Sequence, residues 1–193
     1  MRTRLITKPT ELAISLAEAK AQCRVTHSAE DALITSLIKA VTDRCEHVIG
    51  RAIMPQTWEL VLDAFPTNED IELLHPPIQS ITSVKYIDAL TANETTLANT
   101  QYSLDKDSEP GWLMPAYGVT WPSTLPVANA VRIQYLAGYI NADAVPDCIK
   151  QWMLLTVATY YSNRESVVVG SIIQSFDNAT YDGLLDRARV WAL

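Results

Sequence analysis

Apolar residues at spacings of three and four dominate the first quarter of the chain. Leu33, Ile34, Leu37, Ile38, Val41, Cys45, Val48 and Ile49 fall on one helical face. That spacing predicts an amphipathic helix over Ser28–Ile49, stopped by Gly50 and about 33 Å long at 1.5 Å per residue. Ser28 followed by Asp31 supplies a start signal, with Glu30 and Asp31 placed against the positive end of the helix dipole. Upstream, Ser15 and Glu18 form a capping-box pattern that opens a short helix to about Arg24, with Leu16 and Ala19 inward.

After Gly50 the period changes. Thr57–Leu62 reads as a strand, closed by Phe65, Pro66 and a polar turn at Thr67–Asp70. Ile71–Leu74 is a second short strand, stopped by Pro76 and Pro77. Ile81–Ala89 alternates so that Val84 and Tyr86 share a face. Glu94–Leu97 and Gln101–Leu104 are further short strand candidates, a turn at Asp105–Gly111 precedes Trp112–Met114, and Ala130–Tyr135 closes the series before Gly138. Helix returns at Pro146, a residue suited to a helix's first position. Ile149, Trp152, Met153, Leu155, Thr156, Ala158, Thr159 and Tyr160 make this helix apolar on most sides, which implies burial in a core or against a partner. Ser166–Asp177 is an apolar segment interrupted by Gly170, open to reading as an arm, a hairpin or a loop. Thr180–Val190 is expected to form a last short helix with Tyr181, Leu184, Leu185 and Ala188 inward.

Together these elements predict an α+β fold. A helical layer from the N- and C-terminal helices (1–54 and 141–193) carries a β-rich insertion of short antiparallel strands (55–140), all within one domain.

Composition narrows the function. Hydrophobic residues make up 48% of the 193 positions and charged residues 19%, enough for a packed core. No apolar run reaches the roughly 18–20 residues needed to span a bilayer. Met1–Thr10 carries Arg2, Arg4 and Lys8 without an apolar stretch behind them, so it does not read as a secretory signal. A soluble chain made in a cytoplasm, with no membrane partner, is expected. Cys23, Cys45 and Cys148 are odd in number and scattered, and are expected to be reduced, partly buried thiols. The net charge of −7, with basic residues scattered singly, argues against tight nucleic-acid binding.

No pattern of residues points to chemistry. His27, His47 and His75 come from unrelated positions, and Cys45 and His47, two apart, do not share a helical face; neither a metal nor a cofactor is expected. Asp105, Asp107 and Glu109 alternate as in a calcium loop, but Pro110 and Ala116 stand where such a loop needs glycine and glutamate. A polar turn held by Asx-type hydrogen bonds is the simpler reading. There is neither a Gly-rich phosphate loop nor a nucleophile elbow. Trp112, Tyr117 and Trp121, set among prolines, could form a ligand or carbohydrate platform, although Trp112 and Trp121 suit the core better. The Val167–Ile173 segment suits a subunit interface, because loops this apolar usually need covering.

The order of short motifs resembles a family: the head–tail connector, or adaptor, proteins of tailed phages, in their longer form with a β insertion. The stretches are Ser15–Lys20 (SLAEAK), Glu30–Ile34 (EDALI), Ile49–Ala52 (IGRA), Gln56–Leu60 (QTWEL), Pro76–Val84 (PPIQSITSV), Asp107–Gly111 (DSEPG), Val131–Tyr139 (VRIQYLAGY) with Pro146, and Tyr160–Glu165 (YYSNRE). They cover most of the chain in order. The resemblance implies a non-enzymatic virion protein at the head–tail interface. It implies a ring, commonly of about twelve subunits, that sits on the portal, extends the DNA channel without sequence-specific DNA binding, and docks the next stopper or tail protein. By that analogy Leu37 and Val41 on the long helix are interface candidates for the ring. Val168, Ile172, Ile173, Leu184, Leu185, Arg187 and Arg189 are candidates near the portal.

Overall fold

The computed structural model describes residues 2–67, 70–163 and 183–190. They fall into two compact units, one formed by Met1–Thr10 with Met54–Ile140, the other by Glu11–Ile53 with Asn141–Leu193. The α+β class holds.

The second unit is helical: α1 is Leu16–Cys23, α2 is Asp31–Ile49 and α3 is Asp147–Ser162. The capping box at α1 forms as its sequence requires. Ser15 Oγ accepts the Glu18 N–H at 3.1 Å, and the Glu18 carboxylate accepts the Ser15 N–H at 2.6 Å. The Ser28 signal does not: α2 starts at Asp31, behind Glu30, which makes no side-chain cap. Tertiary contacts claim the acids there instead. Asp31 takes the Lys20 ammonium at 2.6 Å, and Glu30 accepts the Tyr161 hydroxyl. Ile34, Ile38, Val41, Cys45 and Ile49 of α2 and Ile149, Met153 and Val157 of α3 have no accessible surface, and Trp152 is 2% exposed. Fully burying side chains of this size stabilises by about 1.5–3 kcal/mol each, so this α2–α3 seam dominates the unit.

The expected last helix is not regular where it is described. Residues 183–188 run through consecutive turns, with the Ala188 and Arg189 N–H groups donating to Leu185 O. The segment is tied to the end of α2: Val190 N–H donates to Ile49 O at 2.9 Å, and Arg51 Nε donates to Ala188 O.

The other unit holds all eight strands found among the described residues, β1 (Arg2–Thr7), β2 (Gln56–Leu62), β3 (Ile71–Leu73), β4 (Ile78–Ile87), β5 (Glu94–Thr96), β6 (Tyr102–Asp105), β7 (Gly111–Pro115) and β8 (Val131–Ala137). They make an antiparallel five-stranded sheet, β1-β2-β8-β4-β5, and a three-stranded sheet, β3-β7-β6. Two differences from the sequence pattern matter. β1 was not expected, since Arg2–Thr7 has little apolar periodicity; it exists by pairing with β2 as an edge. β4 begins three residues before the alternation does, at Ile78.

The faces of the large sheet follow from its register, because directly opposed residues point the same way. Leu60, Val84, Ile133 and Tyr135 share the fully buried side. On that side the Tyr135 hydroxyl donates to Leu74 O at 3.0 Å, and Trp58 stacks on His75 with ring centroids 3.9 Å apart. Phe65 stacks on Trp121 at 4.8 Å and meets Tyr86 edge-on at 5.8 Å.

Candidate functional site

Of the residues expected to meet partners, Val41 and Leu185 are fully buried within the helical unit and offer no surface. Leu185 is an anchor: its burial, with Ala188 beside it, holds the turn segment against its own chain. Leu37, Leu184 and Arg189 are partly exposed, and Arg187 is exposed. Val168, Ile172 and Ile173 lie outside the described residues.

The Asp105–Gly111 turn takes the simple reading. Asp105 accepts the N–H groups of Asp107 and Ser108 at 3.0 and 3.1 Å and the Ser108 hydroxyl at 2.6 Å. These bonds hold its carboxyl below the ordinary range. Asp107 and Glu109 stand exposed beyond it. Among the described residues no group of His, Cys, Asp or Glu is placed to hold a metal. The three aromatics do not stand free together: Trp121 is stacked on Phe65, and Trp112 is half-buried in β7, while Tyr117 is fully exposed.

The outer face of the large sheet is where charge gathers. Arg2 lies opposite Val61, Arg4 opposite Glu59, Glu59 opposite Gln134, Val61 opposite Arg132, and Arg132 opposite Lys85. Arg2, Arg4, Glu59, Val61, Asn129 and Arg132 line a cleft of about 160 Å³. At its floor Glu59 is 2% exposed, 2.6 Å from the Arg4 guanidinium and 3.0 Å from the Gln134 amide that donates to it. Burial works against its charge. The hydrogen bonds from Gln134 and Arg4 and the positive charges of Arg4 and Arg132 outweigh that and hold its carboxyl below the ordinary value. Around the cleft, Asp63 accepts the Asn129 N–H at 2.8 Å, and Glu94 pairs with Lys85 at 2.9 Å. Neither the Arg2 nor the Arg132 side chain hydrogen-bonds a described residue, and the Arg132 charge acts on Glu59 without a direct ion pair. Three guanidinium groups therefore surround a single carboxylate, in a chain whose net charge is −7.

Against known proteins, the model of one family, head completion protein, matches residues 12–174. The chain belongs to the head completion protein family. This agrees with the phage head–tail connector family that the motif order resembles. Among solved structures, chains from the neck of an empty gene transfer agent particle and from the virion of the native particle each superpose with a TM-score of 0.79 at 23% identity. A chain from the neck of the native particle computed with C12 symmetry gives a TM-score of 0.72 at 21% identity. Each comparison covers 100% of this chain and 97% of the other. Among curated proteins no match was found.

Sequence reasoning located only part of the candidate contact surface. It singled out α2 and the C-terminal residues by their apolarity. The arginine cleft escaped it, because Arg2, Arg4 and Arg132 converge only through the β1-β2-β8 register. The signal available was the alternation of Arg2 and Arg4, which in a strand puts both on one face.

Proposed function

We propose that this head completion protein is a non-enzymatic connector subunit that assembles as a ring at the head–tail interface, against the portal, and docks the next neck or tail protein. The observation that carries the reading is the family match over residues 12–174, joined to whole-length similarity to chains of gene transfer agent necks. Those necks were computed with C6 and C12 symmetry, which supports a cyclic assembly here. In this reading Leu37 on α2 lies at the ring contact, and Leu184, Arg187 and Arg189 lie near the portal. DNA passes the ring without sequence-specific binding.

The test is to mix the chain with purified portal protein and follow complex formation by sedimentation velocity and electron microscopy. A cyclic complex is expected, and Arg187→Glu is expected to weaken it. Point substitutions suit this test better than removal of the last residues, because truncation would strip Leu185 and Ala188 from the core. A chain that binds neither portal nor itself, in solution or on particles, would refute the reading.

A further inference from the structure

We propose that the arginine cleft on the outer face of the five-stranded sheet receives the acidic β6–β7 turn of a second copy of this chain. The contact would be head-to-tail, and the inference rests on the ring reading above. Two features of one unit carry it. The cleft holds Arg2, Arg4 and Arg132 around the single buried carboxylate of Glu59, with the Arg2 and Arg132 side chains exposed and free of hydrogen bonds to described residues. Like charges brought together this way favour an incoming anion. The turn presents Asp107 and Glu109, both exposed, on a hairpin stiffened by the three hydrogen bonds to Asp105. Behind it Glu72 and Asp105 flank Trp112 in register, so the acidic surface continues onto the small sheet.

The two features cannot meet within one copy. Gly111, at the base of the turn, lies against Ile78 at the start of β4, where an added Cβ would come within 2.8 Å of Ile78 Cγ1. The cleft is at the other end, where Arg132 faces Lys85. Seven residues at about 3.3 Å each separate these points by roughly 20 Å. A surface and its complement at opposite ends of one compact unit fit a heterologous contact, the kind that closes into a ring when the rotation allows. Complementary charge there would set register and speed of association. A nucleic-acid phosphate could enter the same cleft; the overall acidity of the chain favours the carboxylate.

Three variants of the chain test this, each assembled with the portal: Arg2→Glu with Arg132→Glu, Asp107→Lys with Glu109→Lys, and all four together. Each pair alone is expected to lower the fraction of chain in rings at least tenfold, and the fourfold reversal to restore it. A photo-crosslinker at Asn129 in the otherwise unchanged chain should capture a peptide containing Asp107 from another copy, which keeps the test valid if a reversal disturbs folding. Wild-type rings that are indifferent to both reversals and give no such crosslink would overturn the contact and leave the ring reading standing. Absence of wild-type rings would overturn both. Intact rings that lose only their retention of duplex DNA in the Arg2→Glu/Arg132→Glu variant would make the cleft a phosphate site and overturn the proposal.

Discussion

Replacing Gly138 with alanine should damage the β unit more than any other glycine change in it. Gly138 follows β8 at φ +105°, a conformation that L side chains rarely adopt. An added Cβ would lie 2.3 Å from Met54 O and 2.6 Å from Met54 C, backbone atoms that cannot rotate aside. The conformation alone costs roughly 1–2 kcal/mol. Relieving the clash adds about 1–3 kcal/mol, as other overpacked sites do. Relief also means moving Gly138 away, which strains its N–H bond to Pro77 O at 2.9 Å and the Gln79 amide bond to its carbonyl at 2.7 Å. A total near 3 kcal/mol is a large share of the roughly 5–15 kcal/mol that holds most proteins folded. At about 2–4 °C per kcal/mol for a chain of this size, the midpoint should fall by roughly 6–12 °C. Gly118→Ala is the control: its φ is +76°, but nothing lies within 4 Å of the added Cβ, so only the conformational cost of about 1 kcal/mol remains. Thermal and urea unfolding of the two variants, followed by circular dichroism, decides the matter. Equal losses, or a Gly138→Ala loss under about 1 kcal/mol, would show that the β8 exit is not held against Met54 as described.

Other outcomes follow from the same structure. Ser15→Ala removes a formed capping box and should cost about 0.5–2 kcal/mol, whereas Ser28→Ala, at a cap that never forms, should stay within about 0.5 kcal/mol in the same urea titration. Leu185→Ala should cost about 2–5 kcal/mol and make the residues after Gly183 the first site of limited proteolysis, detected by mass spectrometry. Burial lowers the pKa of His75, and its networks lower that of Glu59, so both groups add stability at neutral pH that is lost on acidification. Melting curves should show one loss as pH falls below about 6.5 and another below about 4.3, to which Asp105 also contributes; Glu59→Gln should reduce only the second.

What the sequence disclosed depends on how local the deciding forces are. The α2 face and the Val84–Tyr86 side of β4 were legible because burial repeats with the period of the element itself. The start of α2 was not, because Lys20 and Tyr161, distant in sequence, claim Asp31 and Glu30. β1 was hidden for a related reason: an edge strand with one neighbour needs few apolar residues, and that neighbour, β2, begins about fifty residues later. The arginine cleft is a product of strand register alone. Leu184 and Leu185 look alike in sequence, yet one keeps part of its surface and the other loses all of it, a distinction made by the way residues 183–190 dock on the end of α2.

The interleaving of the two units in chain order has a consequence for biosynthesis. α1 and α2 leave the ribosome before their packing partner α3, which starts at Asp147, about a hundred residues after Ile49. At roughly 5–20 residues per second, the apolar stripe from Ile34 to Ile49 waits on the order of 5–20 s for its cover. The β unit is complete in sequence once β8 and Ile140 have emerged, before α3 exists. During that interval the nascent chain carries a finished sheet unit and an uncovered helix, so the stripe on α2 is where a chaperone would bind or where a stalled chain would aggregate.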